Sequence, residues 1–303
     1  MKKSYIKLLI LSFLTIFLCT INAFLVKKLT THSLIIIMLI SLIIIKVTLG
    51  FEKDRHRYSK DISLEIIISL FIFFLLFYLS GLLIGYAKTN NYLTGNALQN
   101  IVIPLIIYLI VKEYLRYSLI TKSSESLALI ILMTITFIFL DNTIPFAISG
   151  VTFSKRTFLL FALTFLPSLT ENILCSWITY HFGFKPSLIY VLIIKLYPYL
   201  LPIIPNPNEY IYSIIFFLLP IIILFKLRKW LTMDRVNEEV ERSRKKQLWP
   251  YIPLTIIVIT LVYFVSGYFK YYAVAIATGS MVPTINKGDV VIVNQQFTED
   301  DLE

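Results

Sequence analysis

Apolar residues fall along this chain in unbroken runs, not in the spaced stripes of a water-soluble core. Nine such runs occupy 5–26, 33–51, 62–87, 99–120, 126–146, 157–182, 187–204, 209–227 and 251–269. Each is about twenty residues long, enough to cross roughly 30 Å of hydrocarbon at 1.5 Å per residue. Lipid offers no partner to a backbone N–H or C=O, so runs of this kind are expected to be helical. The pattern therefore predicts an all-α polytopic membrane bundle of about nine transmembrane helices. The first run follows Lys2 and Lys3 but has no small-residue cleavage pattern, so it reads as an uncleaved helix.

After the last run the texture changes. Tyr271 to Ala277 is short, β-branched and aromatic, and is bounded by Thr278-Gly279. Val290-Val291-Ile292-Val293 is a second such run, entered through Lys287-Gly288-Asp289. These predict the start of a β-rich extracytoplasmic domain. The expected organisation is a multi-span region over 1–226 and a charged cytoplasmic connector over 227–250, then a membrane anchor over 251–270. An incomplete β domain over 271–303 completes it.

Charge refines this picture. The 303 residues are 57% hydrophobic and 15% charged, with 28 Lys and Arg against 18 Asp and Glu. A basic surplus can signal nucleic-acid binding, but here the cations sit in short segments between apolar runs and no such partner is expected. With a cytoplasmic N-terminus, 19 of them fall on the inner side and 5 on the outer, as the positive-inside rule requires. The expected location is the plasma membrane, multi-pass, with residue 280 outside. Cys19 and Cys175 lie within apolar runs without metal-ligand spacing, so neither metal nor cofactor is expected.

The segment from Thr278 to Val293 carries the candidate chemistry. Gly279, Ser280, Met281, Pro283, Ile285, Gly288, Asp289 and Val293 stand at fixed spacing just after a predicted anchor. A serine hydroxyl is a weak nucleophile and needs a tight turn where a base and a carbonyl both reach it. Gly279 lets the backbone approach closely there, and the Ser280 N–H can face the oxyanion formed on attack. Pro283 limits the loop backbone.

These residues resemble the nucleophile region of type I signal peptidases, serine endopeptidases that remove signal peptides from secretory precursors. The Thr-Gly-Ser-Met start is most similar to the branch shared by archaea and the endoplasmic reticulum. The resemblance implies Ser280 as nucleophile and the Thr278 hydroxyl as a second oxyanion donor. It also implies an extended substrate lying beside 271–277, near Ala273, Ala275, Ala277, Met281 and Pro283, and precursors with an A-x-A pattern as partners besides the lipid bilayer. Two further segments, 184–190 and 196–205, resemble the multi-span N-terminal extensions of signal peptidases from some low-GC bacteria.

In that family a lysine or histidine some tens of residues downstream activates the serine. Here His32, His56 and His181 all precede Ser280, and Lys287 lies in the same loop. The expectation is an incomplete copy of a longer protein, inactive for want of a base. The alternative is a polytopic transporter or receptor-like protein in which the serine turn is incidental. Glu171 and Lys195 bear on it, because ionisable groups in apolar runs are costly and face other helices. Glu171 shares a helical stripe with Thr164, Ser168, Cys175 and Thr179. Counted along ideal helices, Glu171 and Lys195 fall within a few ångströms of the same depth, so a polar pair is expected.

Overall fold

The computed structural model describes residues 31–50, 58–89, 98–123, 126–149, 161–233, 256, 260, 271–275, 284 and 290–294. The chain divides into two compact units. One comprises 1–70, 95–195 and 207–237, and the other 71–94, 196–206 and 238–303.

Among the described residues there are seven α-helices: α1 (Thr31–Leu49), α2 (Ser59–Ile84), α3 (Ile103–Ser123), α4 (Leu127–Ser149), α5 (Leu166–Phe182), α6 (Phe184–Leu200) and α7 (Glu209–Met233). Two of them open through a π-helical turn, Leu98–Val102 before α3 and Phe161–Phe165 before α5. In each case a proline, Pro104 or Pro167, is the second residue of the helix that follows. A proline ring clashes with the carbonyl four residues back, and the wider turn relieves that clash. Helices α5 and α6 are separated by Gly183 alone, which takes φ of 85° and donates its N–H to the Thr179 carbonyl. A side chain would strain that backbone, which explains the glycine at this abrupt stop.

The core of the first unit follows from helical spacing. Met38, Leu42 and Ile45 of α1 pack with Val111, Leu115 and Leu119 of α3. Leu129, Met133, Phe137 and Leu140 of α4 complete the cluster. Steps of three and four residues put each set on one helix face. The opposite face of α1 is apolar too, with Ile36, Leu39, Ile40, Ile43 and Val47 exposed. A helix that is apolar all round suits a lipid surrounding, not water. At one end, Lys226 Nζ of α7 reaches Glu65 of α2 at 2.7 Å and Ser69 Oγ at 3.0 Å. Trp230 packs edge-on to Tyr58 and to Phe182 in the same unit.

In the second unit, β1 (Tyr86–Lys88) pairs antiparallel with β2 (Ile203–Pro205), Ala87 opposite Ile204. Gly85, with φ of 97°, turns the chain from α2 into β1 and accepts the Asn206 N–H. The Tyr86 hydroxyl donates to the Tyr78 carbonyl at 2.6 Å, and the Tyr78 hydroxyl to the Ile203 carbonyl at 2.8 Å. The ring of Tyr86 occupies the space that a side chain at residue 81 would need, and Gly81 leaves it free. Farther along, β3 (Tyr271–Ala275) pairs antiparallel with β4 (Val290–Asn294), from Tyr271 opposite Asn294 to Ala275 opposite Val290.

The expected fold class does not hold. Among the described residues three helices are long and apolar enough to cross a membrane: Ser59–Leu82, Leu98–Ser123 and Glu209–Leu231. The apolar stretches Ile35–Val47 and Leu127–Asn142 are shorter. Helices α5 and α6 have 17 residues each, reaching only about 25 Å at 1.5 Å per residue. Counting apolar residues ran through Pro202 and absorbed strand residues 86–87 and 203–204 into spans three and seven. Run 5–26 and all of run 251–269 but residues 256 and 260 lie outside the described residues. No β-rich domain is seen among the described residues, only two two-stranded sheets. Helix α7 continues to Met233, past the expected start of the connector at 227, and residues 234–250 lie outside the described residues.

The Gly81–Tyr86 contact gives a direct test. Gly81→Ala should destabilise the protein by about 1–3 kcal/mol, the usual cost of overpacking. In a Tyr86→Ala background the same change should cost much less, because the ring is gone. Unfolding midpoints of the detergent-solubilised protein check this, and equal penalties in both backgrounds would contradict it.

Candidate functional site

Two places carry polar chemistry, one in each unit. The first is a buried network in the first unit, built from α3, α4, α5 and α6. Helix α3 contributes Lys112, Glu113 and Arg116, all essentially without solvent exposure. Spacings of three and four residues put Glu113 and Lys112 next to Arg116 on one side of the helix. Lys112 Nζ holds both carboxylate oxygens of Asp141 on α4, at 2.7 and 2.9 Å. Asn172 of α5 donates to the same carboxylate at 2.8 Å.

Arg116 is the hub. Its Nε donates to Glu113 Oε1 at 3.3 Å, and its Nη1 to the Asn172 carbonyl and Ser176 Oγ at 3.2 and 3.0 Å. Nη2 donates to Asn172 Oδ1 at 2.6 Å, while the guanidinium lies 4.4 Å from the centre of the Phe137 ring. Arg suits this place because its planar fork carries five donors in fixed directions. The other oxygen of Glu113 accepts from Ser187 Oγ of α6 at 2.6 Å. Asn142 donates to Ser168 Oγ at 2.9 Å, linking α4 to α5 a second time.

The structure brings Glu171 and Lys195 together: Lys195 Nζ donates to Glu171 Oε2 at 2.7 Å. The Glu171 side chain is 9% exposed and that of Lys195 38%. Oxygen Oε1 of Glu171 has no hydrogen-bond partner, and neither does Oδ1 of Asn142. The network holds three cations (Lys112, Arg116, Lys195) and three carboxylates (Glu113, Asp141, Glu171), so its formal charge is zero. Among the described residues no group of His, Cys, Asp and Glu could hold a metal ion.

The second place is the serine segment. Ala273 and Ala275 lie in β3, opposite Ile292 and Val290 of β4. Ala277, Thr278, Ser280, Met281 and Pro283 lie outside the described residues. The pair Ala275–Val290 brackets them, so seven of the eight motif residues fall in the fourteen residues 276–289 that connect two paired strands, and the eighth, Val293, lies in β4.

Sequence reasoning missed most of the network. Asp141 and Asn142 were hidden in an apolar run, and Asn172 was passed over beside Glu171. A signal was present, since Ser168, Asn172 and Ser176 repeat every four residues on α5.

Removing one partner of a buried ion pair leaves a lone charge, at a cost of about 3–5 kcal/mol. Asp141→Asn should therefore lower stability on that scale, and Asp141→Leu with Lys112→Met should regain most of the loss. Thermal unfolding in detergent measures both, and a double variant as unstable as the single one would show that the pair is not the cause. Compared with known proteins, this chain matches no family model, no curated protein and no solved structure.

Proposed function

We propose that this protein is a membrane-bound serine endopeptidase of the type I signal peptidase kind, with Ser280 as nucleophile. The observation that carries the proposal is the position of seven of the eight motif residues between paired strands. Tight hairpins close with two to five residues, whereas β3 and β4 are joined by fourteen. A long connection on a paired scaffold is the usual place for catalytic residues. The three helices able to cross a membrane supply the anchoring that such an enzyme needs.

On this reading the Ser280 hydroxyl attacks the scissile carbonyl while its proton passes to a base. The oxyanion takes hydrogen bonds from the Ser280 N–H and the Thr278 hydroxyl. The amine leaves with a proton, and water then releases the acyl group from Ser280. The precursor lies extended beside β3, adding a strand at Ala273 and Ala275. The family's general base, a lysine or histidine, is assigned here to no residue. A second reading, transport or reception of a solute, draws on the six buried charges, since such groups at membrane depth mark solute paths in many proteins.

Ser280→Ala should abolish cleavage of an A-x-A precursor while membrane insertion is unchanged. Thr278→Val should slow it on the order of 10²-fold, and Thr278→Ser should be nearly silent. Processing by isolated membranes reads all three. Undiminished cleavage by Ser280→Ala would remove the serine from the mechanism.

The Lys/Arg asymmetry further assigns the end of the bundle with Lys226, Arg228 and Lys229 to the cytoplasm, and Ser280 to the outside, at the plasma membrane. In intact cells an impermeant thiol reagent should therefore label Gln296→Cys and spare Asn237→Cys. Reversed labelling would sink the orientation and the peptidase with it, because precursors are cleaved on the outer face.

A further inference from the structure

The two ends of the first unit differ sharply in charge. Trp230, near the end of α7, meets the ring of Tyr58 beside the start of α2 at 5.7 Å, and that of Phe182 at the end of α5 at 6.2 Å. Tyr117 of α3 meets Phe184 at the start of α6 at 6.5 Å. These contacts gather the starts of α2 and α6 with the last turns of α3, α5 and α7. Tyrosine and tryptophan rings are common at such a level, where a membrane meets water. Among the described residues this end carries six cations, Lys60, Lys122, Lys185, Lys226, Arg228 and Lys229, against two carboxylates, Asp61 and Glu65. The opposite ends are nearly bare of charge. The first ten residues from Leu98, from Phe161 and from Glu209 hold one charged side chain between them, Glu209 itself.

Glu65 answers Lys226 at 2.7 Å. Arg228 and Lys229 follow, both exposed, and they continue an apolar stripe. Leu218, Ile222 and Phe225 of α7 are exposed too, and steps of four, three and four residues carry their face on to Lys229. The stems of lysine and arginine lie along apolar surface while the charge reaches the headgroup layer. A soluble anion would meet the cations and leave the stripe bare. A lipid without net charge would cover the stripe and leave the cations unanswered. A phospholipid with a negative headgroup matches both.

We propose that Arg228 and Lys229 hold the headgroup of an anionic phospholipid whose acyl chain lies along Phe225, Ile222 and Leu218. The other cations of this end make the local potential positive and raise the concentration of such lipids around it. The site owes nothing to the peptidase reading, since it uses neither Ser280 nor a precursor.

The test uses the 303-residue chain in bilayers of equal parts phosphatidylglycerol and phosphatidylcholine with the same acyl chains. A photoreactive benzoylphenylalanine takes the place of Phe225, and the mass of each adduct tells which lipid was captured. Phosphatidylglycerol adducts should outnumber the others about fivefold, the scale of one basic side chain at a lipid surface. The same probe in place of Ile211, an exposed residue beside Glu209 at the far end of α7, should take the two lipids about equally. Arg228→Gln with Lys229→Gln should bring the ratio at 225 to about one. An equal ratio at 225 in the chain that keeps both cations would overturn the proposal. So would a preference that survives the double change, or one just as large at 211. Loss of the preference on adding glycerol phosphate would overturn it in favour of a soluble anion.

Discussion

A charge enclosed among apolar helices has no water to solvate it, and it survives there only with a partner at hydrogen-bond distance. That constraint organises the first unit. Lys112 ties α3 to α4 through Asp141, Arg116 ties α3 to α5 through Asn172 and Ser176, and Glu113 ties α3 to α6 through Ser187. Glu171 and Lys195 tie α5 to α6. Every link joins side chains on different helices, so a slide of one helix by one turn would break several at once. Apolar packing is far less particular in lipid, where hydrocarbon outside the bundle is as apolar as leucine inside it. The hydrophobic cluster of α1, α3 and α4 supplies close packing, and the charges supply register.

The sequence pattern made some of this legible. Helices α2 and α7 lie close to two of the expected runs, because both are long, apolar and unbroken by glycine until their ends. The expected count failed where the decisive interactions are long-range. Strands β1 and β2 are 115 or more positions apart and three residues each, and nothing local marks them. They form because Gly85 and the segment around Pro202 stop the helices beside them and their exposed backbone groups find each other. Helices α5 and α6 fall in two of the expected runs, but α5 begins only after the π-helical turn at 161–165 and α6 stops at Leu200, before Pro202, so each has 17 residues.

The candidate site divides in the same way. The eight motif positions from Gly279 to Val293 can be read directly, because spacing within a short segment is a local property. A network assembled from four helices cannot, since Asp141 among leucine, isoleucine and phenylalanine gives no hint that its partner stands twenty-nine positions earlier. Its likeliest clue was energetic. An aspartate in an apolar run must be paired with something, and Lys112 and Arg116 were the nearest intrahelical cations in a neighbouring run.

Neutrality sets a limit on where such a network can act. With three charges of each sign, any group that binds by bringing a net charge leaves the cluster unbalanced in a low dielectric, where the cost is steep. A ligand that brings only dipoles avoids that cost, and peptide groups are dipoles with a donor and an acceptor a few ångströms apart. Among the sealed groups, Lys112 gives two of its N–H to Asp141, and Glu113 accepts on both oxygens. Glu171 gives one oxygen to Lys195, and its other, like Oδ1 of Asn142, is buried without a hydrogen-bond partner. Burial therefore turns these polar groups toward one another: the geometry that locks the helices also encloses their charges, and of the six side chains Lys195 alone is more than a third exposed.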